Sequence, residues 1–112
     1  MKVIDAHTHM VPRHIPRQPE RDKLWPYVDA VGPDEAAVMI DGREFRRIDS
    51  RSWDPARRIC DMERENVHAQ VLSPMPELLS HWLAADDAEY LADIVNESIA
   101  EMCAAAPDRF HG

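Results

Sequence analysis

The sequence lacks any apolar run approaching the roughly 18 residues that cross a bilayer. Its N-terminus, one lysine ahead of a short apolar stretch, does not read as a secretory signal. No membrane partner is expected from that pattern, and the cytoplasm is the expected compartment. A basic excess is missing as well: 13 Lys and Arg face 21 Asp and Glu, for a formal charge of −8. Neutralising a phosphate backbone needs a basic face, so no nucleic-acid partner is expected. The longest arginine-rich stretch, Arg43 to Arg51, is itself interrupted by Glu44 and Asp49. Cysteine is scarce, with only Cys60 and Cys103 and no Cys-x-x-Cys pair. Both fall on apolar positions of predicted helices and are expected to be reduced core residues, neither a disulfide nor zinc ligands. Internal repeats and low-complexity tracts are absent too.

Proline, in contrast, is concentrated. Pro12, Pro16, Pro19, Pro26 and Pro33 crowd one stretch, and residues without a backbone N–H cannot continue one helix or a central strand. A long loop is therefore predicted over 12–33, with at most a helical turn around Asp22 to Trp25. Loops this long in compact domains are usually functional or disordered, and this one is expected to cover the mouth of the site that precedes it.

That site begins in Val3-Ile4-Asp5-Ala6-His7-Thr8-His9-Met10. Residues 2–5 are predicted to be a short parallel strand. Side chains repeat with period two in extended chain, so His7 and His9 point to one side and two imidazoles can chelate one ion. Imidazole suits Zn²⁺ and other divalent first-row metals, although a catalytic site needs a further protein ligand and an open position. Asp5, two residues before His7, is a candidate to orient an imidazole as hydrogen-bond acceptor, or simply a structural residue.

The remaining elements follow from local signals. Ala37 to Ile48 carries a central Asp41-Gly42 between strand-forming residues, the pattern of a β-hairpin over 37–48. Asp54-Pro55 marks a helix start, with Asp54 as N-cap, Pro55 at the first helical position and Asn66 as the stop. Ala69 to Ser73 reads as a second parallel strand. The loop from Pro74 to Trp82 is rich in apolar side chains, which makes Met75 and Trp82 candidates to line a pocket. Asp86-Asp87 is expected to cap the last helix, whose stripe of Leu91, Ile94, Val95, Ser98, Ile99, Met102 and Cys103 has helical spacing. Pro107 ends it, and Phe110-His111-Gly112 reads as the opening of another strand. Strand, helix, strand, helix, strand start is an α/β pattern.

Several blocks carry a family resemblance. Ile4-Asp5-Ala6-His7-Thr8-His9 resembles the first strand of the amidohydrolase superfamily of metal-dependent (β/α)₈ barrels. Phe45-Arg46-Arg47-Ile48, Trp53-Asp54-Pro55-Ala56-Arg57-Arg58-Ile59, Val71-Leu72-Ser73, Ser80-His81-Trp82 and Pro107-Asp108-Arg109-Phe110 are similar to its aminocarboxymuconate-semialdehyde decarboxylase branch. The resemblance implies an α/β fold that is the N-terminal portion of a (β/α)₈ TIM-type barrel, with a β-hairpin inserted after the first strand. A whole barrel needs about 250 residues, so residues 1–112 are expected to be the N-terminal third of one such domain.

The resemblance further implies a metal-dependent, non-oxidative decarboxylase of a small unsaturated or aromatic-derived carboxylic acid, homodimeric at full length. His7 and His9 are then ligands of Zn²⁺ or a similar ion, with further ligands on later strands. Arg46, Met75 and Trp82 are the substrate-binding candidates, Arg46 because a planar guanidinium grips a carboxylate with two parallel N–H donors. His81 is not expected to be a ligand. Two other readings stay open: a metal-dependent hydrolase of an amide, ester or lactone, and an inactive fragment or interaction module.

Overall fold

Strand β1 runs over Ile4–Met10, and the structure, a computed structural model, describes residues 1–112 from end to end. The strand is longer than the predicted 2–5, and both histidines lie within it. Its second half holds because Thr8 and Met10, two apart, are buried on one side while the Thr8 hydroxyl donates to the Val71 carbonyl at 2.8 Å. Beyond it the chain does not stay a pure loop. Residues Tyr27–Ala30 form β2, and Val28 also bridges to Ile15. This corrects the predicted loop over 12–33. Pro26 stands just ahead of the strand, where its missing N–H breaks no ladder bond.

Strands β3 (Glu35–Ile40) and β4 (Arg43–Asp49) pair antiparallel, and β2 joins the other edge of β3, giving the sheet β2-β3-β4. The two turn residues, Asp41 and Gly42, have φ of +54° and +72°. Positive φ at both central positions is what a type I′ turn needs to match strand twist, and Asp-Gly meets it at low cost. A 3₁₀ turn at Ser50–Ser52 leads to helix α1 (Pro55–Glu65). Asp54 caps that helix, with its Oδ1 accepting from the backbone N–H of Ala56 at 2.9 Å and of Arg57 at 3.4 Å. Asn66 closes it in the left-handed region at φ +59°.

Strand β5 (Ala69–Pro74) lies parallel to β1, helix α2 spans Ala85–Ala105, and β6 (Phe110–His111) pairs parallel with β5. The second sheet is thus β1-β5-β6, each new strand laid beside the last. At the start of α2 the N-cap is Ala84, not Asp86-Asp87. Those two aspartates fall in the first turn instead, where negative charge suits the helix dipole, and Asp87 is bonded to Arg21 of the proline-rich stretch.

One hydrophobic cluster joins the two sheets and both helices. Met10, Leu72 and Phe110 enter it from the parallel sheet, Met62 from α1, and Leu91, Val95 and Met102 from the stripe on α2. Full burial of such a side chain contributes about 1.5–3 kcal/mol. The cysteines divide: Cys103 is half-buried on the α2 stripe, but Cys60 is exposed, so its expected core position is corrected. No helix is long and apolar enough to cross a membrane.

Candidate metal centre

His7 and His9 leave the same strand close to its C-terminal end, and their Nε2 atoms stand 3.1 Å apart with the rings nearly perpendicular, at 85°. Two nitrogens about 2.0–2.1 Å from one tetrahedral zinc would be about 3.3 Å apart. The separation of the pair is thus close to that of two ligands of one ion. As they stand, the same two atoms can share a proton, which requires a lone pair on one Nε2.

The surroundings of His9 decide which nitrogen that is. Its Nδ1 lies 3.2 Å from the Pro74 carbonyl and 3.4 Å from Ser73 Oγ, whose own hydroxyl donates to the Thr8 carbonyl at 2.7 Å. A carbonyl only accepts, so Nδ1 carries the hydrogen and Nε2 presents its lone pair. Residue His9 is opposite Ser73 in the β1–β5 register, which is why both partners come from β5. Asp5 does not take the orienting role considered for it. A register shift between Asp5 and Thr8 places Asp5 opposite Gln70, and its Oδ1 accepts from the His7 backbone N–H at 3.1 Å, not from a ring.

His7 and His9 bring two imidazoles together. No group of three or more His, Cys, Asp or Glu side chains is gathered anywhere in the chain, and His81 instead meets Trp82 edge-to-face at 4.8 Å. The chain thus fits part of a metal's coordination shell.

Beside His9 opens a cleft of about 310 Å³, also lined by Arg46, Met75, Arg51 and Arg58. Arg46 and Met75 are thereby brought together with a histidine of the pair. Trp82 is not: it is 38% exposed and does not line this cleft. Arg46 Nε donates to Glu77 Oε1 at 2.7 Å, and the Glu77 side chain is only 3% exposed against 44% for Arg46. Its neighbours are also paired. Arg47 binds Glu44 and Glu35, and Arg51 binds Asp49, whose carboxyl is held below the usual range chiefly by that hydrogen bond.

Two residues, one lining the cleft and one paired to its Arg46, were not picked out from the sequence. Arg58 is buried, makes no ion pair, and donates from Nη1 to the carbonyls of His9 (3.1 Å) and Arg51 (2.7 Å) and from Nε to Gln70 Oε1 (3.1 Å). Burial lowers its pKa, opposed by the charge of Asp5. Its position was a usable signal, since Arg58 is four residues before Met62 and the two are the buried residues of α1. Glu77 is the other, a lone acid in an apolar loop between Pro76 and Leu78.

The fold and these contacts define an α/β chain with a pair of histidines on one strand beside an arginine-lined cleft. Over 111 residues the chain is 40% identical to a protein named 2-amino-3-carboxymuconate-6-semialdehyde decarboxylase from Dictyostelium discoideum, covering 97% of this chain and 31% of that protein. It is 33% identical over 108 residues to one of the same name from Caenorhabditis elegans, covering 95% and 27%. No protein-family model matches the chain. Over nearly its whole length, then, the chain is a homologue of the 2-amino-3-carboxymuconate-6-semialdehyde decarboxylases, in agreement with the motif resemblance. It spans less than a third of the length of these curated relatives.

Proposed function

We propose that the protein is a metal-dependent, non-oxidative decarboxylase of a small unsaturated carboxylic acid such as 2-amino-3-carboxymuconate 6-semialdehyde. In this reading β1, β5 and β6 are the first strands of a (β/α)₈ barrel of the amidohydrolase type, and the β2-β3-β4 sheet is inserted after the first. Support comes from the strand order, in which each parallel strand joins the last through a helix-bearing connection without reversal. The observation that carries the functional reading is the His7–His9 pair at 3.1 Å with His9 Nδ1 tied to Pro74, opening on the cleft that holds Arg46.

His7 and His9 would hold Zn²⁺ or another divalent first-row ion, with the remaining ligands from the part of the relatives' length that this chain does not match. When bound, such an ion supplies a positive centre for developing negative charge. The chain's own residues do the rest of what is assigned to it. Ser73 and Pro74 fix the His9 ring and its tautomer. Arg46 takes a substrate carboxylate, and the buried charge of Arg58, which makes no direct ion pair, favours an anion in the same cleft.

The test is made on the purified full-length protein. Metal content is measured by mass spectrometry for wild type, His7→Ala and His9→Ala, and CO₂ release is followed from the semialdehyde. One metal equivalent and CO₂ release are expected in wild type, with both lost in either variant. Normal metal content in a variant sinks the ligand assignment, and acid production without CO₂ makes the protein a hydrolase.

A further inference from the structure

The cleft holds four arginines, and their donors are not equally free. Arg47 commits Nη1 to Glu35 and Nη2 to Glu44, Arg51 commits Nη2 to Asp49, and Arg58 commits Nη1 to two carbonyls. Arg46 alone keeps both Nη atoms without a protein acceptor, because its single partner, Glu77 Oε1, sits on Nε. A guanidinium has two edges that can grip a carboxylate with parallel N–H bonds, one including Nε and one made of Nη1 and Nη2. Glu77 occupies the first. It is held there firmly, buried in the 3₁₀ turn Pro76–Leu78 beside Leu78, which is itself 2% exposed.

We propose that Glu77 is a positioning residue for Arg46, taking the Nε edge so that the Nη1/Nη2 edge is the one offered to a carboxylate in the cleft. The proposal rests on Arg46 being the carboxylate-binding residue, as read above. Its consequence is selectivity: the cleft takes one planar anion end-on, and an uncharged carboxamide, which presents one acceptor and one donor to two donors, is refused. Burial also explains why the pair stays together. A carboxylate this deep is retained only with a partner, so Arg46 is tethered through β4 and the turn after β5 at once.

The test uses the metal-loaded full-length protein with benzoate and benzamide as probes, titrated calorimetrically, alongside KM and kcat for decarboxylation. Loss of one charge-assisted positioning bond is expected to cost about tenfold in affinity. Glu77→Ala should therefore lower the benzoate-over-benzamide ratio about tenfold and raise KM with kcat within about twofold. Glu77→Gln, whose amide oxygen still accepts from Nε, should recover most of that ratio. Arg46→Lys keeps the charge for Glu77 but has no Nη edge, so its ratio should collapse to that of Arg46→Met; this variant serves if Glu77→Ala does not fold. Equal weakening of both probes in Glu77→Ala, or a wild-type ratio in Glu77→Ala or Arg46→Lys, overturns the proposal. A wild-type ratio in Arg46→Met instead overturns the reading of Arg46 itself.

Discussion

Removing Arg46 and removing Glu77 should have very different effects on stability, although they delete the same ion pair. In Arg46→Ala the Glu77 carboxylate, 3% exposed, is left with no partner. Breaking a fully buried pair by taking one member costs about 3–5 kcal/mol. Arg46 is 44% exposed, however, so water can follow into the space it vacates, and about 2–3 kcal/mol is the expected loss. In Glu77→Ala the orphan is a half-exposed guanidinium that solvent can serve, and the cost should stay below about 1 kcal/mol. The double variant should then be more stable than Arg46→Ala alone, with a coupling of at least about 1.5 kcal/mol. Urea unfolding of the four proteins at fixed metal concentration and pH 7 closes the cycle, metal being held constant because any bound ion would stabilise the folded form by mass action. Equal losses in the two single variants, or a double variant no better than Arg46→Ala, would refute the idea that Glu77 is a buried charge dependent on Arg46.

Other expectations follow from contacts already described. Ser73→Ala removes the longer of the two His9 Nδ1 contacts, 3.4 Å against 3.2 Å to Pro74, so metal affinity measured by competition with a chelator should fall by less than about tenfold. Asp54→Ala deletes the cap of α1 and should lower the unfolding free energy by about 1 kcal/mol, read from the urea midpoint. The carboxyls of Asp49 and Asp34 are held below their usual range, first by hydrogen bonds from Arg51 and Ser50 respectively. A depressed folded value means stability that is complete above the unfolded value, about 3.9, and is lost as pH falls through the folded one. Unfolding midpoints at pH 6, 3.5 and 2.5 should therefore drop more steeply below about pH 4 in wild type than in Asp49→Asn/Asp34→Asn.

Elements written in adjacent residues were legible in the sequence. The Asp41-Gly42 turn, the Asp54-Pro55 helix start, the Asn66 stop and the stripe from Leu91 to Cys103 each depend on a few neighbouring positions, and each is found in the fold. Features whose cause lies elsewhere in the chain were not. Strand β2 has only four residues, and what makes it a strand is β3, eight residues on from its first residue to that of β3. Asp87 looked like a cap, but it is claimed by Arg21, 66 positions earlier. At the site, His7 and His9 could be paired by strand geometry alone, whereas the partners of His9 come from β5 and those of Arg46 and Arg58 from across the fold. Which of its two expected roles Asp5 takes was not legible, because a register shift in a ladder leaves no mark in a one-dimensional pattern.

Proline at the end of β5 has a bearing on protein engineering. Having no N–H of its own, Pro74 offers the neighbouring strand an acceptor and no donor, and the His9 ring takes up that acceptor. A histidine pair transplanted on β1 alone into another scaffold would arrive with its ring free to flip and either nitrogen protonated. The portable unit is the two-strand ribbon, Ile4–Met10 together with Ala69–Pro74, and a designer who keeps the histidines but replaces the proline-ended neighbour has copied the imidazoles without what aims them.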